Sequence, residues 1–286
     1  MTRNLRLPDR VVASPAECRA AILDAIRGAT RELSLSLFRC NDADIFAELA
    51  AARARGVAVD ALVTARAAGS TKKLKKLRQK LLDADATVHI YADPVVKYHA
   101  KYLVADEGPA IVASLNFTKK CFSRTLDALV VTYDPAVVSG LREVMAADCG
   151  MRPASASLAP RLIVGPERAR VQLTALLRGA RSSIRLLDAK LSDPAFVALL
   201  AERRASGVRV DVLDSTRYGD LKSHGKVCLI DDRIAVVGGL ALAAMSLDFR
   251  REVAITVETP EAIADVRRFL DAVTAASAGA DVAASA

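Results

Sequence analysis

The chain repeats itself, and a repeat of this length confines it to a fold built from two like halves. Ala51-Ala-Arg-Ala-Arg-Gly-Val-Ala-Val-Asp60 returns 151 residues later as Glu202-Arg-Arg-Ala-Ser-Gly-Val-Arg-Val-Asp211. Ala25-Ile-Arg-Gly-Ala-Thr30 ahead of Leu33-Ser-Leu-Ser-Leu37 is echoed by Leu176-Leu-Arg-Gly-Ala180 ahead of Ile184-Arg-Leu-Leu187. Further on, His99-Ala-Lys101 with Asp106 and His224-Gly-Lys226 with Asp231 spell one His-x-Lys-x4-Asp cassette twice, now only 125 residues apart. The difference between the two offsets (151 − 125 = 26) assigns the first half a 26-residue insertion that includes much of Ala65 to Val88.

The cassettes hold two of the three histidines in a chain of 286 residues. An acid stands 28 residues beyond each of them, Asp127 after His99 and Glu252 after His224. Ser114 and Asn116 follow the first cassette, whereas Gly239 and Ala241 occupy those places in the second. The third histidine, His89, lies in Thr87-Val-His-Ile-Tyr91 and reads as an ordinary strand residue.

Local signals outline each half as helix, strand, helix, strand, then several strands and a closing helix. Ser14-Pro-Ala-Glu17 has the form of a capping box with proline at the first helical position, and Gly28 is a natural stop. Ile45, Leu49 and Ala52 share a helical face that ends at Gly56. Val57–Val63 and Val208–Leu213 read as buried parallel strands, and Asp106-Glu-Gly-Pro109 and Asp231-Asp-Arg233 as tight turns after the cassette strands. The expected fold class is α/β, with residues 1–150 as one half, 151–160 as linker, 161–277 as the other half and 278–286 as a disordered tail. Within the insertion, Leu74, Leu77 and Leu81 fall on one face of a helix whose other faces carry Lys72, Lys73, Lys75, Lys76, Arg78 and Lys80. That is either a solvated surface helix or a polyanion-contacting one beside the first cassette.

Composition narrows the partners. A net charge of +8 favours anionic ones: nucleic acid, anionic lipid headgroups or phosphorylated small molecules. The absence of Trp and an aromatic content of 4% offer little help to deep membrane insertion or to base stacking. The five cysteines are scattered, as buried residues of a reducing compartment would be, and no zinc-type spacing of Cys and His occurs. The longest uncharged apolar stretch, Ile234 to Met245, is too short to span a bilayer and reads as a buried strand with its exit. The N-terminal MTRNLRLPDRVVASPAE has no apolar signal core, so a cytoplasmic protein, in peripheral contact with the inner membrane face at most, is expected.

The doubled cassette with its downstream Ser/Asn pair and acid resembles the phospholipase D superfamily, and the repeat around it extends the resemblance over nearly the whole chain. The resemblance implies two pseudo-symmetric α-β-α sandwich halves sharing one active site, and a covalent phosphohistidine formed on the first-motif histidine. His99 would then be the nucleophile and His224 the acid and base, with Lys101 and Lys226 charging the phosphate site. The residue chemistry agrees with such a division. Two histidines in opposite protonation states can attack phosphorus and protonate a leaving oxygen, and lysines two positions along the same strand face can reach the same phosphate. Ser114 and Asn116 are expected to donate to phosphate oxygens, Asp127 and Glu252 to fix the imidazole tautomers, and Asp106 and Asp231 to support the site structurally. The chemistry requires no cofactor, and no metal is expected. The first expectation for function is a phosphodiesterase or phosphatidyltransferase of cardiolipin synthase-like type on phospholipids. The alternatives are a nuclease on the same scaffold and, given Gly239 and Ala241, a basic polyanion-binding protein whose site has decayed. Headgroup or base preference, hydrolysis versus transfer, and oligomeric state are not written in the residues.

Overall fold

The computed structural model describes residues 8–67, 71–155, 157–215 and 217–284. The first half opens with β1 (Arg10–Val12), α1 (Pro15–Gly28), β2 (Glu32–Leu37), α2 (Ala43–Ala54) and β3 (Ala58–Thr64). The insertion supplies α3 (Thr71–Asp83) and β4 (Thr87–Tyr91), then come β5 (Lys97–Tyr98), β6 (Tyr102–Ala105) and β7 (Ala110–Ala113). This half closes with α4 (Cys121–Arg124), β8 (Thr125–Leu126), β9 (Leu129–Thr132) and α5 (Pro135–Cys149). The second half repeats the plan with β10 (Leu162–Val164), α6 (Ala169–Arg178), β11 (Ser183–Leu187), α7 (Pro194–Ala205) and β12 (Arg209–Leu213). Two short strands follow, β13 (Arg217–Tyr218) and β14 (Leu221–Ser223), ahead of β15 (Val227–Ile230) and β16 (Ile234–Gly238). It ends in α8 (Ala244–Phe249), β17 (Arg250–Arg251), β18 (Val253–Val257) and α9 (Pro260–Ala284). The expected tail 278–286 thus falls partly within the span of α9, and its last two residues lie outside the described ones.

Both sheets have the same strand order, β1-β9-β7-β6-β2-β3-β4 and β10-β18-β16-β15-β11-β12. The single difference is β4, an extra parallel edge strand, with α3 as its crossover from β3. The protein is therefore a mixed α/β structure, with parallel pairs β2–β3 and β11–β12 and otherwise antiparallel neighbours toward β1 and β10.

The four-residue strands β6, β7, β9 and β15 are buried on both faces, because each sheet has apolar layers on either side. A central core joins Tyr102, Val112 and Val130 of one sheet to Val227, Val237 and Val253 of the other, with α5 and α9 in the same layer. Outside it, α1 to α4 cover the first sheet and α6 to α8 the second. Equivalent caps start α2 and α7: Asp42 and Asp193 each accept two backbone N–H groups of their helix's first turn, and Arg19 and Arg170 pair with those carboxylates. Ser14 does precede α1, but its hydroxyl makes no capping bond, so the capping box expected there does not form; Pro15 alone marks the start. No helix among the described residues is long and apolar enough to cross a membrane.

At Gly238 the last residue of β16 runs so close to β18 that a Cβ would stand 2.4 Å from the Ala254 Cα and 2.5 Å from the Val253 carbonyl oxygen. Gly238→Ala must push the two central strands apart. The expected cost is about 1–3 kcal/mol, read as a lower urea midpoint, and an unchanged midpoint would contradict the close approach.

Candidate active site

The site is assembled by exchange between the halves. Strand β5, which leads into His99, pairs in parallel with β17 of the second half, and the His99 N–H donates to the Arg251 carbonyl at 2.9 Å. In the mirror arrangement β14, which leads into His224, pairs with β8, and the His224 N–H donates to the Leu126 carbonyl at 3.2 Å. Each short ladder stops one residue before an acid. The outcome is that His99 Nδ1 contacts Glu252 Oε1, and His224 Nδ1 contacts Asp127 Oδ1 at 2.9 Å. Each cassette imidazole takes its carboxylate from the opposite half.

Both carboxylates are buried, and each is kept ionised by several donors. Burial raises the Asp127 pKa, but hydrogen bonds from His224, Thr125 and Ser114 outweigh it and leave it below the usual range. Glu252 is likewise lowered: burial acts upward, and the charge and hydrogen bond of the His99 ring, then Lys101 and Ser246, act downward. Burial and the adjacent Lys101 ammonium push His99 down to about 3, against the pull of Glu252. The imidazole is therefore neutral at ordinary pH. With its Nδ1–H donated to the Glu252 carboxylate, its Nε2 lone pair is free. The Phe38 ring packs 4.3 Å from the His99 ring, centroid to centroid.

Lys101 and Lys226 curl back toward their own cassettes. The Lys101 Nζ donates to the His99 carbonyl at 2.5 Å and stands 3.0 Å from His99 Nδ1; the Lys226 Nζ donates to the His224 carbonyl. Burial lowers Lys101 to about 7, reinforced by the charge of Lys226 and opposed by Glu252 and Asp127. Asp106 and Asp231 face away from these groups. Asp106 accepts the backbone N–H groups of Thr30, Arg31 and Glu32, and Asp231 those of Arg181, Ser182 and Ser183. Those bonds overcome partial burial and bring both acids down to about 2. They tie each cassette hairpin to the start of β2 or β11.

Ser114 differs from the expectation of a phosphate donor, whereas Asn116 stays at the cavity. The Ser114 hydroxyl donates to Asp127 Oδ1 at 2.7 Å and accepts the Ala128 N–H at 3.0 Å, so it is committed to holding the acid. Asn116 borders the cavity beside His224, and its Oδ1 is buried without a hydrogen-bond partner. In the second half the hydroxyl missing at Gly239 is supplied from elsewhere. Ser246, on the inner face of α8, donates to Glu252 Oε2 and accepts the Ala241 N–H at 2.9 Å. Sequence reading passed over Ser246 because it lies seven residues beyond the equivalent position, in a helix of six residues. Its signal was faint: the serine precedes Leu247, and these two are the buried residues of α8.

Two cavities open on the histidines. One, of about 770 Å³, is lined by His224 and by Lys73, Lys76, Lys80, Lys119, Lys120 and Lys222. The other, of about 780 Å³, is lined by His99 and by Arg66, Lys75, Arg78, Lys97 and Arg250. Phe38, Arg39 and Leu74 belong to both, and among the described residues no Asp or Glu lines either. The basic helix α3 therefore flanks the site with lysines toward each cavity, rather than being a helix remote from the cassettes. Of ligand-type groups, Cys121, Asp127 and His224 bring atoms within 4.8 Å of one another. The Asp127 oxygens there are already taken up by Ser114, Thr125 and His224.

Residues 22–149, somewhat under half of the chain, match the family described as "Cardiolipin synthase, PLD-like domain". No curated protein matches the sequence. Among solved structures, phosphatidylserine synthase from Haemophilus influenzae is similar with a TM-score of 0.74 at 12% identity, over 94% of this chain and 88% of that one. Polyphosphate kinase from Porphyromonas gingivalis gives a TM-score of 0.74 at 17% identity over 92% of this chain. This chain covers only 46% of that kinase, so it spans about half its length. At these identities the likeness is one of fold.

The relay through Ser246 generates a paired test. A Cβ at Gly239 would meet only ordinary contacts, 3.7 Å from the Val253 carbonyl oxygen and 3.8 and 3.9 Å from Glu252 atoms, so a serine fits there. Ser246→Ala is expected to lower kcat/KM about ten- to a hundred-fold, the worth of one hydrogen bond to a charged group. Adding Gly239→Ser should recover part of the loss. Unchanged activity in Ser246→Ala would refute the relay.

Proposed function

For this member of the phospholipase D superfamily, we propose a two-step phosphodiesterase that works through a phosphohistidine on His99 and acts on the phosphate backbone of nucleic acid. The observation that carries the reading is the crossed pair of histidine–carboxylate contacts, which gives two imidazoles different jobs. His99 is partly buried and neutral, with Nδ1 against Glu252 and Nε2 free, the form a nucleophile needs. His224 has Asp127 at Nδ1, a carboxylate able to carry the charge of an imidazolium that donates a proton.

In the first step Nε2 of His99 forms a bond to phosphorus as the bond to the leaving oxygen breaks, and His224 passes its proton to that oxygen. In the second step water attacks phosphorus, His224 takes a proton from it, and the phosphorus–nitrogen bond breaks. Lys101 and Lys226 offset the charge that accumulates on the equatorial oxygens. The neutral state of His99 supports, rather than decides, its assignment as nucleophile. Sequence symmetry alone left it to family resemblance.

The nature of the cavities is the support for placing nucleic acid ahead of the phospholipid that the sequence reading put first. A lining rich in lysine and arginine and without carboxylates suits a chain of phosphates. The apolar cavity behind Lys226, about 30 Å³, has room for about one water and none for an acyl chain. A phospholipid remains the second reading, on the description of the family that residues 22–149 match.

The deciding experiment offers labelled phosphatidylglycerol, plasmid and single-stranded oligonucleotide to the wild type and to His99→Ala. Oligonucleotide cleavage that falls at least about a thousand-fold in His99→Ala is expected, with an acid-labile phosphoryl adduct on His99. Lipid turnover without DNA cleavage would install the second reading, and activity indifferent to His99 would remove both. The pH profile is a separate check. His99 must be neutral, so no acid limb is expected above about 3 from it. Lys101 must be protonated, so kcat/KM should fall as pH rises through about 7. Lys101→Arg, whose charge persists, should shift that basic limb upward. A limb that stays in place would show that Lys101 is not its source.

A further inference from the structure

The second half lacks both neutral donors of the first, with Gly239 and Ala241 in place of Ser114 and Asn116. Ser246 replaces only the serine, and its hydroxyl is spent on Glu252. What stands around the missing asparagine is cationic. Asp188, buried where the first half has Leu37, accepts the Lys190 N–H at 2.9 Å through Oδ1 and the Leu242 N–H at 2.7 Å through Oδ2. Lys190 is thereby anchored beside the segment that contains Ala241. Its counterpart at the 151-residue offset is Arg39, which lines both cavities. From the other side Arg250 enters: it pairs with Lys97 across the β5–β17 ladder, lines the His99 cavity, and has Nη1 3.9 Å from Glu252 Oε1.

We propose that Lys190 and Arg250 form an anion subsite beside the scissile phosphate, which replaces the absent asparagine and takes the next phosphate along the substrate. The inference rests on the phosphodiesterase reading for the identity of that substrate, although the subsite itself stands on the arrangement of charges. Arg250 stands beside Glu252, which already serves His99, while the backbone of Lys190 is held by Asp188 next to the Ala241 segment and feels the charges of Lys226 and Arg250. Like charges brought together repel, and partial burial with the Lys226 and Arg250 charges depresses the Lys190 pKa. An arriving anion relieves that repulsion. One diester phosphate carries one negative charge and is already faced by Lys101 and Lys226. A further pair of cations matches a second anionic group.

The test is binding of inorganic phosphate and inorganic pyrophosphate to the full chain, followed by titration calorimetry. Pyrophosphate, with two adjacent phosphoryl groups, should bind at least about ten-fold tighter than phosphate. Lys190→Met and Arg250→Met should each remove most of that difference. Lys72→Met, on the exposed side of α3 and outside both cavities, should leave it intact. Lys190 is only partly covered and reaches the surface, so its variant is not expected to unfold, and thermal melting verifies this. Equal affinities in the wild type, or a difference that survives in both variants, overturns the subsite. Preferential pyrophosphate binding without cleavage of any diester keeps the subsite and sinks the phosphodiesterase. Cleavage without the preference does the reverse.

Discussion

Each cassette histidine of this protein depends on a carboxylate that the other half supplies. A buried carboxylate is costly unless donors surround it, and here the imidazole N–H is among those donors. Separated halves would leave Asp127 without His224 and Glu252 without His99, so the site and the association of the halves are one problem. The two-residue ladders β5–β17 and β8–β14 are too short to be stable alone. They are held because Arg251, at the end of one, is itself buried against Asp148 of α5, the Gly165 carbonyl and Glu167. That cluster connects the closing helix of the first half to the strand that delivers Glu252.

The frame is symmetric, and the chemistry is not. Glu252 has one methylene more than Asp127, and the hydroxyl that holds it comes from α8 instead of the strand end. Leu37 becomes Asp188, and the polar pair after the cassette becomes Gly239 and Ala241. A duplicated site starts with two equivalent imidazoles. Different charges around two such rings are a physical means by which a duplicated site becomes unequal, as an acid–base division of labour requires. The asymmetries all surround the carboxylates and the phosphate, while Asp42 and Asp193, Arg19 and Arg170, and Asp106 and Asp231 keep matched contacts.

Much of this was legible in the residues. The cassettes, the offset between them, the hairpins at Asp106 and Asp231 and the leucine face of α3 follow from spacing and periodicity, which are local. The insertion of 26 residues was visible as a mismatch of offsets, and it became α3 and β4. The crossing of acids was not legible, because both pairings satisfy the same 28-residue distance and only tertiary contact chooses between them. Strands of two residues have no periodicity to detect. Ser246 was missed for a related reason: its function is equivalent to that of Ser114, but its position is not. Ser14 had the sequence of a capping box without the bond, since proline at the next position already starts the helix.

The placement of α3 follows from the strand it serves. Adding β4 in parallel beside β3 demands a crossover, and a crossover helix must pack on a face of the sheet. Leu77 and Leu81 bury against the outer apolar layer of the first half, which directs the lysines outward. The helix begins after the end of β3, near the edge where β2 delivers Phe38 and Arg39. An insertion that merely widens the sheet therefore deposits a basic helix along the mouth of the site. On the proposed reading its charge would act on a polymeric anion over about a Debye length, which small diesters would scarcely exploit. That length dependence separates a wall built for a phosphate chain from one that only keeps the protein in solution.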